Sequence, residues 1–442
     1  WWIASAAEAG PSSLVVWVLA ALGLFVPLVA SVLELSSRYP EEGGLYIWTR
    51  RAFGDFPGFM TGFLYWASNL PFFPALLYFT AANALFLGGA KGAALQESRA
   101  FFLAFSLAGV ILASAVNVRG LKYGTWLHNA AAVATWLPAL LLIMCGAISF
   151  ARFGSATAFT ASSLLPSVGL KDALFFSTIA FAFGGIEAAS FLGDEIRDPR
   201  RNLPRALLVS GGLITAAYLA GTGSLLVALP ASEASGLTGI TKAIAAASAK
   251  VGLPVMPTLA ALLITLAGVG ATGAWLATAA RLPFVGGLDR FLPPAFGKIH
   301  PNWGTPAVAI LVQSAISALF VLLGQAGTGV KGAYDALVAM SVIAYFVPFL
   351  FLFASTIRLS KAPLPAGAIR IPGGRPVSVA LACLGFFTTA VSLLLAFVPP
   401  DGEPDKVFAM AKLALLTLLL VVVGVGLYAA SLRRRKTRGQ VC

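Results

Sequence analysis

Runs of about 20 apolar residues, each long enough to cross a lipid bilayer as a helix, recur along the whole chain, divided by short links of Gly, Pro and charged residues. Taken in order they predict complete spans over residues 13–36, 53–87, 101–118, 123–150, 203–229, 256–280, 305–323, 333–357, 377–398 and 407–432, with a broken one over 171–192. Residues 1–9 are apolar but far shorter than a span. They read as the tail of a first helix that begins upstream, which makes twelve spans with the first truncated. Pro71 and Pro74 lie inside the span over 53–87 and predict a kink there.

Three links carry structure of their own. ELSSRYPEEGGLYIWTRRAFG, residues 34–54, is too polar for lipid; its Pro-Glu-Glu-Gly-Gly core predicts a tight turn, and Tyr46, Trp48, Arg50 and Arg51 an interfacial stretch. RLPFVGGLDRFLPPAFGKIHPNWGTP, residues 281–306, mirrors it. Between the seventh and eighth spans, residues 231–254 predict a short amphipathic helix lying on the membrane.

The pattern fails most sharply between Phe175 and Arg205. A run long enough to span holds two adjacent glycines, Gly184 and Gly185, then a carboxylate, Glu187, and then an arginine cluster. Glycine pairs loosen a helix, and backbone freed at membrane depth persists only where protein or a water-filled cavity satisfies it. Broken spans of this kind form the ligand site of many secondary transporters. A glycine packing patch beside a buried ion pair would look the same. The first and sixth elements are the two irregular ones. If residues 1–150 and 171–357 are inverted copies of five spans each, those two correspond. Residues 377–432 then add two helices to a single transporter domain over 1–432, with a basic cytoplasmic tail over 433–442.

Composition agrees with this all-α polytopic membrane protein: 59% of the residues are hydrophobic, 11% are charged, and the mean hydropathy is +0.88, which excludes a soluble domain. The formal charge of +13 sits in short loops and reports orientation rather than a nucleic-acid partner. More than two thirds of the 30 lysines and arginines fall on the side of Arg38, Arg119, Arg197, Arg281, Arg358 and Arg433, which makes that side cytoplasmic and places both termini there. Cys145, Cys383 and Cys442 lack metal-ligand spacing. His128 and His300 are the two histidines, and no acidic pair, Ser-His-Asp set or metal cluster falls at membrane depth, so neither catalysis nor a cofactor is expected.

AFAFGGIEAASFLGDEIRDPRRNLPRAL, the 281–306 segment, and WIASAAEAGPSSL with the 34–54 segment together resemble the amino acid-polyamine-organocation superfamily of permeases. The Glu-Gly-Gly plus aromatic pattern is nearest the glutamate:GABA antiporter branch. The resemblance implies a LeuT-like fold, a five-plus-five inverted repeat plus two C-terminal helices, and movement of amino acids or related amines by alternating access. It places an aromatic gate at Phe181, beside Phe183, and the family's break in the first helix just before Trp1, leaving Ile3, Ala4 and Ser5 as that helix's contribution to the substrate site.

The unwound backbone of Ala182, Phe183, Gly184 and Gly185 exposes carbonyls and amides whatever the side chains are. Glu187, a turn beyond the break, is a proton or gating candidate, or a structural partner for a polar group on another helix. Asn69 and Trp275, with Thr272, fall at mid-membrane facing the site or a packed neighbour. Glu34 and Arg38, with Asp194, Glu195 and Arg197, are candidates for the cytoplasmic gate or plain ion pairs. Sodium coupling would draw on Thr265 and Thr272 or Thr278, and no lysine stands in the middle of the fifth span for the proton route some relatives use. The expected protein is an inner- or plasma-membrane amino acid permease, a proton symporter or an exchanger, with lipid as its solvent. A polyamine or organic-cation transporter, and an amino acid sensor that does not transport, are the alternatives. The oligomeric state is left open.

Overall fold

Each regular element described in the computed structural model is helical, because in a bilayer a spanning segment has to pair its own backbone groups. The structure describes residues 1–437 except 42, 167–169, 196–197, 235, 290, 326–328, 364, 366–367 and 399–405, and for 121–128, 170–174, 191–195, 199–200, 286–288, 409 and 435–437 it describes the backbone alone. The principal helices are α1 (Trp2–Ala7), α2 (Ser12–Arg38), α3 (Leu45–Phe53), α4 (Asp55–Ala84), α5 (Arg99–Arg119), α6 (Leu121–Phe153), α7 (Leu170–Phe181), α8 (Pro199–Ala228), α9 (Gly239–Lys250), α10 (Met256–Ala279), α11 (Arg281–Leu288), α12 (Ala307–Gly324), α13 (Val330–Leu359), α14 (Gly374–Leu395) and α15 (Lys406–Thr437).

Among the described residues, 10 helices are long and apolar enough to cross a membrane, one for each complete span expected. The broken sixth element appears as a shorter apolar stretch, Phe175–Ser190. Helix α4 is the centre of the bundle, buried along nearly its whole length, with α13 and α10 packed along it and α6 beyond α10. It remains one continuous helix through Pro71 and Pro74. The outer shell carries exposed Leu208, Leu213, Leu266, Leu394 and Leu418, the lipid-facing surface of a membrane bundle.

Two links each hold a short helix, α3 and α11, between spans, but the aromatic residues expected at the interface, Tyr46 and Trp48, are buried against α4 and α13, with Arg50 and Arg51 on the outer side. The third differs. Helix α9 forms within the 231–254 link, but it buries Ile240, Ala243, Ile244 and Ala247 against α6, α8 and α10. Its apolar face is covered by protein rather than by lipid, because the helices it joins leave a gap that it fills.

Candidate substrate site at a helix break

Helix α7 ends at Phe181, and after four irregular residues the chain resumes as a 3-10 turn over Ile186–Glu195. The break is set by Gly185, whose φ of 109° is open to glycine and strained for other residues. Both glycines are also required by their neighbours. A Cβ on Gly184 would lie 2.5 Å from a ring carbon of Tyr345, and one on Gly185 would lie 2.9 Å from Trp275.

Two groups of the freed backbone, the Gly185 amide and the Ala182 carbonyl, are held by side chains. Glu187, fully buried, turns its carboxylate back to accept from the Gly185 amide, 2.9 Å from Oε2 and 3.2 Å from Oε1. Oε1 also accepts from the Tyr65 hydroxyl of α4 at 2.7 Å and from the Tyr345 hydroxyl of α13. On the other side the Tyr218 hydroxyl of α8 donates to the Ala182 carbonyl at 2.9 Å. Tyr218 is itself held by stacking on Trp17, with ring centroids 4.1 Å apart, and the Trp17 indole donates to Thr222 at 3.0 Å. The break is thus a fixed bend braced by α4, α8 and α13.

Around it lies an aromatic box. Phe181 meets Trp2 edge-on at 5.3 Å, Tyr345 at 5.0 Å and Phe72 at 6.4 Å, while Phe72 meets Trp275 at 6.1 Å. Edge-to-face pairs at such separations add about 0.5–1.5 kcal/mol each beyond burial. Trp2, Phe72, Gly184, Gly185, Ile186 and Trp275 are half-buried at the centre of a bundle that otherwise buries its core, so these residues present a surface inside the protein. A separate small cavity, about 30 Å³, lies between α4 and α11 against Phe59, Phe63 and Leu282. It is large enough for a water molecule and too small for an amino acid.

The fold brings Phe181, Ala182, Phe183, Gly184, Gly185, Glu187 and Trp275 together. Phe183 points away from Phe181, into Trp17, Phe25 and Tyr218, and so packs behind the break. Asn69 lies one turn from Tyr65 and donates to its carbonyl at 2.8 Å. Ile3, Ala4 and Ser5 sit on another face of α1, against Gly221, Gly239 and Gly236 respectively; Trp2 is the residue of α1 that reaches Phe181. Thr265, Thr272 and Thr278 each donate to the carbonyl one turn back in α10. Glu34 and Arg38 form a buried ion pair at the end of α2, outside the box. Arg197 lies outside the described residues, as do the side chains of Asp194, Glu195 and His128. Among the described residues, His, Cys, Asp and Glu form no group that could hold a metal ion.

Trp2, Tyr65, Phe72, Tyr218 and Tyr345 complete the site and escape a reading of the sequence by segments. The signal for Tyr65, Tyr218 and Tyr345 was a hydroxyl in the middle of an apolar run, which has to find a partner once buried.

A multi-pass helical membrane protein with a broken span braced at its centre, and an aromatic-lined surface beside the break, has the build of a secondary transporter. The chain belongs to the amino acid permease family, whose profile matches residues 2–424. It is similar to an uncharacterised transporter of Legionella pneumophila, 28% identical over 415 residues that cover 90% of this chain and 86% of the relative. It is also similar to a probable agmatine/putrescine antiporter, AguD, of Lactococcus lactis, 22% identical over 424 residues, 95% and 89% of the two chains. The serine/threonine exchanger SteT of Bacillus subtilis is 25% identical over 324 residues, 72% and 70%. The protein is a membrane transporter of amino acids or related cations, and not an enzyme.

Proposed function

We propose that this protein exchanges zwitterionic amino acids across the cell membrane by alternating access, with the substrate held at the 182–185 break between Phe181 and Trp275. The observation that carries this reading is the state of Glu187. It is the carboxylate at the break, and the two tyrosine hydroxyls and the Gly185 amide already engage it. A polyamine or agmatine would need a carboxylate for its second cation, and Glu187 is fully buried with both oxygens already accepting the hydrogen bonds that brace the break. A zwitterion needs only donors for its carboxylate and acceptors for its ammonium, which unwound backbone provides. The same occupancy supports exchange over proton symport, since a proton taken up by Glu187 would compete with the donors that hold the break. The serine/threonine exchange named for SteT fits a site lined by aromatic rings and unwound backbone.

The reading carries the rest of the architecture with it. The ten spans, with α1 and the broken element added, make the twelve of a LeuT-like inverted repeat plus two helices. The excess of basic residues on the Arg38 side puts both termini in the cytoplasm, in an inner or plasma membrane.

Proteoliposomes loaded with unlabelled amino acid test this. Labelled serine, threonine, alanine, glutamate, agmatine and putrescine are offered with and without an inward proton gradient. Uptake of neutral amino acids that needs internal amino acid and ignores the gradient is the expected result. Uptake into empty vesicles driven by the gradient would establish symport instead, preferred uptake of agmatine or putrescine would establish the organic-cation reading, and binding without uptake would establish a sensor.

A further inference from the structure

Glu34 and Arg38 face away from the break, and alternating access as proposed above assigns them no contact with substrate. We infer that they are positioning residues that fasten α14, with the connection leading into it, to α2, so that these segments move as one body through the transport cycle. The inference rests on that alternating-access reading.

The contacts form a continuous seam. Arg38 Nη2 lies 2.8 Å from Glu34 Oε1, and both side chains are 5% exposed. The second carboxylate oxygen of Glu34 accepts from the Ser378 hydroxyl in the first turns of α14. Arg38 Nη1 donates to the carbonyls of Ala362, at 2.9 Å, and Pro363, at 3.4 Å, in the connection before α14. Ser37 closes the set by accepting from the Ile369 amide at 3.1 Å. Further along α2 the two helices pack closely at glycines: a Cβ on Gly385 would lie 2.8 Å from the Pro27 side chain, and one on Gly23 would lie 3.3 Å from the Thr388 hydroxyl. Gly23 belongs to a π-turn, Ala21–Phe25, that bulges α2 at this contact. Ser177 of α7 donates to the Ser392 carbonyl at 2.8 Å, tying the other end of α14 to the broken element.

The chemistry decides which contacts of α14 persist. If α14 slid away from α2, the Glu34–Arg38 pair would stay intact on α2 but would give up its hydrogen bonds to Ser378, Ala362 and Pro363, and hydrogen bonds to buried charged groups are the costly ones to leave unmade. Against α13, by contrast, α14 packs through apolar contacts such as Gly385 on Phe353, which shift without breaking a hydrogen bond to a charged group. The seam therefore holds while the α13 side gives. A gate would have to do the opposite and open at Glu34 and Arg38 in each cycle.

A cross-link across the seam separates these. Ser37→Cys with Ile369→Cys, in a chain with Cys383 and Cys442 replaced by serine, is reconstituted, oxidised to the disulfide and assayed for amino acid exchange. The single-cysteine variants serve as controls. The expected result is a rate within about twofold of that after reduction. A loss of tenfold or more that a reductant reverses would overturn the inference. Spin labels at the exposed positions Pro40 and Arg370, introduced as cysteines, give a second measurement that needs no disulfide and no turnover. A single distance unchanged by added serine supports one body; a second population that grows with serine refutes it. Absence of exchange in the unaltered chain would count against the proposed function alone, since the spin-label distance still tests the seam.

Discussion

Replacing Glu187 by glutamine tests the site at its most specific point. The two side chains have the same shape, so packing is kept and one acceptor becomes a donor. Three donors now converge on the carboxylate: the Tyr65 hydroxyl at 2.7 Å, the Tyr345 hydroxyl, and the Gly185 amide at 2.9 Å from Oε2. With the glutamine oxygen facing the tyrosines, its NH₂ opposes the Gly185 N–H, which keeps only its longer 3.2 Å contact to that oxygen, and leaving a buried donor so poorly paired costs up to about 1–3 kcal/mol. If the whole cost falls on the bend at the proposed substrate site, the exchange rate falls by about 5- to 150-fold. The assay is counterflow of labelled amino acid into preloaded proteoliposomes from neutral to mildly acidic pH, with thermal unfolding in detergent measured alongside to separate misfolding from impaired transport. The expected variant is folded, slow, and as indifferent to pH as the parent. An undiminished rate with a flattened pH response would mean that Glu187 carries a proton and does not hold the backbone, and the exchanger reading would fall with it.

Three further outcomes are expected. Gly185→Ala has to accommodate a φ of 109° and a Cβ 2.9 Å from Trp275; strain of about 1–3 kcal/mol should lower the unfolding temperature and cut exchange by tenfold or more, and parental behaviour would show that the bend is not needed. Phe181→Ala empties the wall between Trp2 and Tyr345 and should raise the half-saturating substrate concentration while leaving the yield of folded protein intact; an unchanged value would remove Phe181 from the site. On the Arg38 side, outside the spans, burial and the bond to Asp289 push the Tyr46 hydroxyl up from its ordinary value. The stability it contributes is present below about pH 10, the usual tyrosine value, and falls as the pH rises above it, where the unfolded state loses the proton first. Tyr46→Phe should flatten that alkaline limb of the unfolding curve, and an identical slope in parent and variant would refute the assignment.

How far the site could be read along the chain depended on whether its members are neighbours in sequence. The Gly184–Gly185 break, Phe181 and Glu187 all lie within one span, and a carboxylate after a glycine pair in an apolar run is visible without any coordinates. The partners of Glu187 come from α4 and α13, more than a hundred residues away on either side. The local pattern shows Tyr65 and Tyr345 only as hydroxyls in apolar runs that need some partner; it does not say that the partner is Glu187. Ile3, Ala4 and Ser5 show the converse. They belong to the right helix, but which face of α1 meets the break depends on how α8 and α9 pack against it, and that packing turned Trp2 toward Phe181. Glu34 and Arg38 could be paired from their spacing of one helical turn; their link to Ser378 and to the carbonyls of Ala362 and Pro363 could not.

The sequence by itself determined the solvent, the spans and the family. Each rests on local physics: apolar length sets what crosses a bilayer, basic residues mark the loops, and the order of three motifs identifies the permease. Only the tertiary structure decided what holds the broken span in place. The direction of a helix face and the partner of a buried polar group are set by several elements packing at once. At residue 187 that packing brought two tyrosines and a freed amide to one carboxylate, where the linear pattern allowed a proton carrier and a brace alike.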